Sequence, residues 1–348
     1  MKISVGQIPE VLEHCFQAKF IPYFEGPPGM GKSEVVHQFR DSLKTRLGNP
    51  SNFFYQEFRG STAEPTDILG LPFPDKGKTT WLKPTWWPES GPGLFFLDEF
   101  PQSSQAVMCA FSQIFDRVSE GATFPADIMI VLAGNRMSDG AAANRIPSHI
   151  RNRVLHFEVG FSVDDWSNYN LAIGTRPEVV AFGRFKADLF CENPPKDGKP
   201  FMTGRSLTKC SKVLELGVKA PLDLAMFTGL IGEGAAIEFT GFLRIMQSLV
   251  PPDIVLLDPD KAPIPTEESA LFAMVQALVF KASPGNFDRI CQYALRLPAE
   301  KSILLVVGSI QRHNAVMLQN PAAKLPPLVT AGGKFFTQWS IKYQDVMK

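Results

Sequence analysis

The sequence predicts an α/β chain: a parallel sheet with helices on both faces over residues 1–161, then a mostly helical remainder. Three observations predict it. Short apolar runs bounded by turn residues alternate with amphipathic stretches as far as Val159. Leu94-Phe95-Phe96-Leu97 is apolar at every position, as a central parallel strand covered on both faces requires. From Asp164 onward the pattern turns to helical spacing and stays there.

Taken in order, residues 9–16 predict a helix packed ahead of the first strand, and Phe20-Ile21-Pro22-Tyr23-Phe24 a short buried strand. Next comes Gly26-Pro27-Pro28-Gly29-Met30-Gly31-Lys32-Ser33, which fits G-x-x-x-x-G-K-[S/T] at every specified position. Its glycines let the backbone curl until successive N–H groups point at one polyphosphate. A helix predicted over 33–47 adds its positive dipole end, with Val35, Phe39, Leu43 and Leu47 as its apolar face. Strand, glycine loop and helix are the context this motif needs. Lys32 would reach the β- and γ-phosphates, and the Ser33 hydroxyl would ligate Mg²⁺.

A second strand is predicted over 53–58. The segment 60–93 is rich in Pro, Gly and Trp and too long for an ordinary connection, which marks it as functional. Inside it, Asp75-Lys76-Gly77-Lys78 reads as a hairpin turn between Leu71-Pro72-Phe73 and Thr79-Thr80-Trp81-Leu82. The strand at Leu94 ends in Asp98-Glu99. Asp98 at that tip would hold Mg²⁺ through its water shell, and Glu99 would orient and deprotonate the attacking water. A helix follows over 104–117, with Val107, Phe111, Ile114 and Phe115 as its core side. A buried strand over 127–133 then ends in Gly134-Asn135-Arg136, where the Asn135 amide could position the lytic water or touch the γ-phosphate. Residues 154–159 predict the last strand of the sheet.

Helices are expected over 177–190, 206–217, 222–249, 267–281 and 287–313, with Leu304-Leu305-Val306-Val307 open between helix and strand. Five prolines in 251–265 predict a linker or extended arm, and the tail from Pro321 reads as loop until Phe335.

Composition narrows the function. Lys+Arg and Asp+Glu both number 35, so a global electrostatic grip on nucleic acid is not expected, although a local patch remains open. Five cysteines, scattered and never in a C-x-x-C pair, argue for a reducing compartment and against a zinc site. No apolar run approaches the ~20 residues of a membrane span, and Met1-Lys2-Ile3-Ser4 opens no signal-peptide core. A soluble, cytoplasmic chain is the expectation.

The order of these motifs resembles the AAA+ ATPases: Walker A at 26–33, Walker B at 94–99 and sensor 1 at Asn135. The resemblance further implies an arginine finger near Arg153 and sensor 2 at Arg205, within Thr203-Gly204-Arg205-Ser206 at the start of a helix. More narrowly, the chain resembles the MoxR-type, dynein-related branch. That likeness rests on Pro65-Thr66-Asp67-Ile68-Leu69-Gly70, the hairpin-like insert at about 70–83, the stretch 150–157 and Gly204-Arg205-Ser206. It covers residues 6–245. Relatives commonly read Leu-x-x-Arg-Phe at the finger; here Val154 follows Arg153, and Arg151 is the rival two residues earlier. Arg153 ranks first because it directly precedes the strand.

The resemblance implies a nucleotide-binding domain over 1–161, a helical lid over 162–245 and a C-terminal extension over 246–348 for partner or oligomer contact. It also implies ATP and Mg²⁺ as cofactors and a hexameric ring or spiral. The expected activity is ATP hydrolysis driving chaperone-like remodelling of a protein partner, such as one carrying a von Willebrand A domain. The alternative is a nucleic-acid motor or loader. Lys76, Lys78 and Lys83 with Trp81, Trp86 and Trp87 would then grip a backbone and stack bases.

Overall fold

The computed structural model describes residues 2–139, 143–195, 197–319 and 325–346. Two compact units divide the chain. One is Met1–Ser162 with Glu192–Gly198; the other is Val163–Cys191 with Lys199–Lys348.

The first unit is built on a six-stranded sheet. Its strands are β1 (Lys2–Ser4), β2 (Pro22–Glu25), β3 (Phe54–Arg59), β6 (Gly93–Asp98), β9 (Ile128–Gly134) and β10 (Leu155–Gly160). Their spatial order is β1-β10-β2-β9-β6-β3, and every pairing is parallel. Between them lie β4 (Leu71–Asp75) with β5 (Lys78–Leu82), and β7 (Val118–Ser119) with β8 (Ala122–Thr123), both antiparallel pairs outside the sheet. The helices of this unit are α1 (Ile8–Ala18), α2 (Lys32–Arg46), α3 (Pro65–Leu69), α4 (Gln105–Phe115) and α5 (Ser148–Arg151).

Period-two alternation places a core on each side of the sheet. Leu94, Phe96, Met129 and Val131 pack with α1 and α2 on one face. Phe95, Leu97, Ile130 and Leu132 pack with α4 on the other. Burial on both faces explains why β6 carries no polar residue before its tip. On α2 the buried apolar positions are Val36, Phe39 and Leu43, whereas Leu47 is exposed. The inward face is thus rotated from the expected Val35–Leu47 stripe. Ser104 caps α4 by accepting the Val107 N–H at 3.3 Å.

The second unit is all helical: α6 (Val163–Ala172), α7 (Pro177–Phe185), α8 (Gly204–Glu215), α9 (Leu222–Ile231), α10 (Glu233–Ser248), α11 (Pro252–Leu257), α12 (Glu268–Lys281), α13 (Phe287–Ala294), α14 (Ala299–Gln319), α15 (Leu328–Ala331) and α16 (Lys334–Lys342). Phe185 on α7 stacks against Phe242 on α10 and lies tilted against Phe272 on α12, which brings early and late helices into contact.

Several expectations change here. The single helix expected over 222–249 is broken at Gly232, whose φ of 84° is left-handed. A Cβ there would lie 2.5 Å from the Pro200 carbonyl oxygen, so glycine is required and the helix must end. The proline-rich arm contains α11, whose Pro252 occupies a first-turn position where no N–H is needed. Val255 is fully buried. Leu304–Val307 falls inside α14. The described part of the tail carries α15 and α16 where loop was expected, while residues 321–324 lie outside the described residues. There Asp288 Oδ1 accepts the backbone N–H groups of Gly333, Phe335 and Phe336 at 2.9–3.0 Å, satisfying the first turn of α16 from another helix. No local capping signal announces that arrangement.

The fold class predicted from the sequence, an α/β core on a parallel sheet followed by a mostly helical remainder, is the one observed.

Candidate nucleotide-binding site

The glycine loop leaves β2 and enters α2 through two left-handed residues, Gly29 at φ 75° and Gly31 at φ 105°. A side chain would strain both. The loop is anchored at its first residue, where the Gly26 N–H donates to the Gly134 carbonyl at 3.1 Å. Since β2 and β9 are neighbours, that bond ties the phosphate loop to the strand that ends just before Asn135.

Lys32 is the first residue of α2 and is 6% exposed. Its ammonium donates to the Gly26 and Pro27 carbonyls at 2.7 and 2.8 Å, and Asn135 Oδ1 lies 3.5 Å away. Ser33 Oγ donates to Asp98 Oδ2 at 2.7 Å. Asp98 Oδ1 accepts the Glu99 backbone N–H at 2.9 Å. Lysine, hydroxyl, carboxylate and amide therefore converge at the C-terminal ends of three adjacent strands, where an open parallel sheet places its ligands. This is the arrangement of a phosphate-binding loop beside a strand-tip carboxylate.

Glu99 has a φ of 54°, unusual for a side chain with a Cβ. The turn redirects it out of the strand, and its Oε2 accepts the Ser61 hydroxyl. The chain after β3 passes close beneath: a Cβ on Gly60 would meet the Glu99 carbonyl and Ser103 Oγ, both at 2.3 Å. Neither Ser61 nor the need for glycine at 60 was predicted. The only hint was the Gly-Ser-Thr run directly after β3, which composition cannot tell from any turn.

Ser33 and Asp98 are hard oxygen donors, and the curled loop matches a polyphosphate, so these residues fit nucleotide with Mg²⁺. Among the described residues no group of three or more His, Cys, Asp or Glu could hold a metal by itself. Ordinary Mg²⁺ sites use one or two protein oxygens plus phosphates and water, which is what Ser33 and Asp98 offer.

The two arginines are placed differently. Arg153 follows α5, is exposed, and forms a bidentate pair with Asp116 on both oxygens at 2.7 Å. That pair raises the arginine pKa and holds the Asp116 carboxyl below its usual range. Arg151 is exposed as well, and its charge acts on Glu25 and Tyr23. Arg205 belongs to the helical unit, exposed on the first turn of α8, whose Thr203 cap and Ser206 form a capping box.

Just before the loop, Glu25 Oε2 meets His156 Nε2 at 2.9 Å, and the Tyr23 and His156 rings stack at 4.9 Å. The His156 hydrogen bond holds the Glu25 carboxyl below its ordinary value, while burial pushes the Tyr23 hydroxyl up. A depressed carboxylate adds stability that is complete above its unfolded value of 4.5 and is lost as pH falls through the lower folded value. The thermal midpoint of Glu25→Gln should therefore lie below wild type at neutral pH, by the equivalent of about 0.2–1 kcal/mol for such an exposed pair. As pH falls below the lowered folded value, the two curves should meet.

The proposed nucleic-acid cluster does not survive intact. Trp86 stacks on Phe95 at 5.3 Å and donates its indole N–H to the Asp67 carbonyl at 2.7 Å. Trp87 packs edge-on against Phe124 at 5.5 Å. Lys83 donates to the Ser119 carbonyl and lies over the Trp87 ring. These three serve the core beneath the long segment. The hairpin itself stands as expected, with Lys76 and Gly77 at φ 47° and 76° making its two-residue turn, and Lys76 and Lys78 remain exposed on it.

No protein-family profile matches the chain, and no curated protein matches it. Among solved structures, one point mutant of Thermotoga maritima RuvB is 13% identical with a TM-score of 0.35, covering 78% of this chain and 86% of its own. A second RuvB point mutant from the same organism is 13% identical at 0.37, covering 75% and 77%. NtrX from Brucella abortus is 12% identical at 0.35, covering 99% and 68%. These are loose likenesses, and the fold rests on the chain's own topology. Among the described residues no helix is long and apolar enough to cross a membrane.

Proposed function

We propose that this chain is an AAA+ ATPase of the MoxR type that assembles as a ring or spiral, commonly a hexamer, and remodels a protein partner. The observation that carries the reading is the convergence of Lys32, Ser33, Asp98, Glu99 and Asn135 at neighbouring strand tips. Lys32 neutralises the β- and γ-phosphates of ATP as the loop N–H groups hold them. Bound Mg²⁺, held by Ser33 and Asp98, would neutralise charge on the β- and γ-oxygens. Glu99, fixed by Ser61, orients and deprotonates the attacking water, and Asn135 positions it. Arg153 reaches the site of a neighbouring subunit, with Arg151 as the alternative finger, and Arg205 on the helical lid senses the γ-phosphate. Residues 246–348 contact a partner, possession of a von Willebrand A domain being the family habit, or cement the ring. The core packing of Trp86, Trp87 and Lys83 takes away half the residues that favoured a nucleic-acid motor.

ATP turnover measured against protein concentration, with and without DNA, tests both readings. Specific activity should rise with concentration, because each site needs a neighbour's arginine, and DNA should leave it unchanged. Activity independent of concentration overturns the shared site. Stimulation by DNA that fades with added salt promotes the motor instead.

A further inference from the structure

The residue after Asn135 makes contacts that nucleotide binding does not require. Arg136 Nε donates to Asp139 Oδ1 at 3.0 Å, and its Nη2 approaches the same oxygen at 2.9 Å. Asp139 Oδ2 accepts the Arg136 backbone N–H at 2.9 Å, and the Asp139 side chain is fully buried. Nη2 also donates onward, to the Glu192 carbonyl at 2.9 Å and to Asn193 Oδ1 at 3.3 Å. The Glu192 carboxylate in turn meets Lys2 Nζ at 3.0 Å at the start of β1.

Glu192 and Asn193 lie in sequence between α7 and α8, both of the helical unit, yet they pack with the α/β unit. Downstream the chain runs to Thr203-Gly204-Arg205-Ser206 at the head of α8. One guanidinium therefore links the residue beside the phosphate lysine to the chain that feeds Arg205. An arginine needed only to neutralise Asp139 would not have to bridge onward. A planar fork of five fixed donors, clamped at backbone and side chain by one buried carboxylate, keeps an orientation that a flexible lysine would not.

The geometry points to Arg136 as a positioning residue that couples nucleotide occupancy at Asn135 to the hold on Glu192–Asn193. The coupling rests on the nucleotide reading above. A ligand shifts an element only through contacts that differ between states. Here the difference is local: phosphates engaging Lys32 change its approach to Asn135, and the Asp139 clamp obliges Arg136 to follow.

Hydrogen exchange on the full chain tests this, with a non-hydrolysable ATP analogue and Mg²⁺ as the probe. In wild type, exchange should slow together at 134–139 and at the Glu192 and Asn193 amides, by about tenfold at the second pair, within the ordinary range for coupled sites. In Arg136→Ala and Arg136→Lys the first segment should still respond and the second should not, with analogue affinity within a few-fold of wild type. If the wild-type protein slows only at 134–139, the coupling is wrong although the nucleotide reading stands; that comparison needs no variant to fold. A response at Glu192 and Asn193 retained in Arg136→Ala also overturns it. If neither segment responds, the nucleotide reading fails and the coupling fails with it.

Discussion

Glu99→Gln should bind ATP and Mg²⁺ as wild type does while turnover falls by about 10²–10⁴-fold, the ordinary worth of a positioned general base. The amide keeps an oxygen to accept the Ser61 hydroxyl, and the left-handed turn at Glu99 does not depend on charge. Geometry is therefore preserved and only the basicity is removed. Equilibrium binding of a fluorescent analogue, beside single-turnover hydrolysis, separates the two effects. A variant that hydrolyses within a few-fold of wild type would show that Glu99 is a strand-end carboxylate and no base. Loss of binding with turnover would instead mean that the Asp98–Glu99 turn had collapsed.

Arg153→Ala should lose about 10³–10⁵-fold in turnover, the usual contribution of an arginine supplied across a subunit boundary. Magnitude separates this from a structural role. The Arg153–Asp116 pair is exposed and screened by solvent, so breaking it alone should change little. A 10³-fold loss corresponds to about 4 kcal/mol of barrier at ~1.36 kcal/mol per decade. Asp116→Ala is the control, since it breaks the same pair and leaves the guanidinium. It should keep most of the turnover, whereas Arg153→Ala should not. Equal, small losses in both variants would reduce Arg153 to a surface ion pair, and a large loss in Arg151→Ala alone would transfer the finger to that residue.

The glycine loop and the side chains gathered around it were legible in the sequence because their demands are local. Gly29 and Gly31 need left-handed backbone, Lys32 and Ser33 start a helix, and Asp98-Glu99 end an apolar strand; each demand falls within a few residues. The same holds for the hairpin at Lys76-Gly77, whose turn requires two positive φ angles. The two-sided burial of β6 was likewise announced by its unbroken apolar run.

What the sequence could not announce depends on partners far along the chain. The edge strand β1 has three residues, too few to display alternation, and exists because β10 offers it hydrogen bonds. Trp86, Trp87 and Lys83 suggest a nucleic-acid surface only until Phe95, Phe124 and Ser119 fold against them. The helix α16 starts where Asp288 Oδ1 supplies one shared acceptor from 45 residues upstream of Gly333. Arg136 and Glu192 meet across 56 residues, with no pattern in either neighbourhood to pair them. Motifs whose demands lie within a few residues were determined by the sequence alone. The choice of distant partner, and with it the use of each side chain, was decided only when tertiary packing brought those groups within hydrogen-bonding reach.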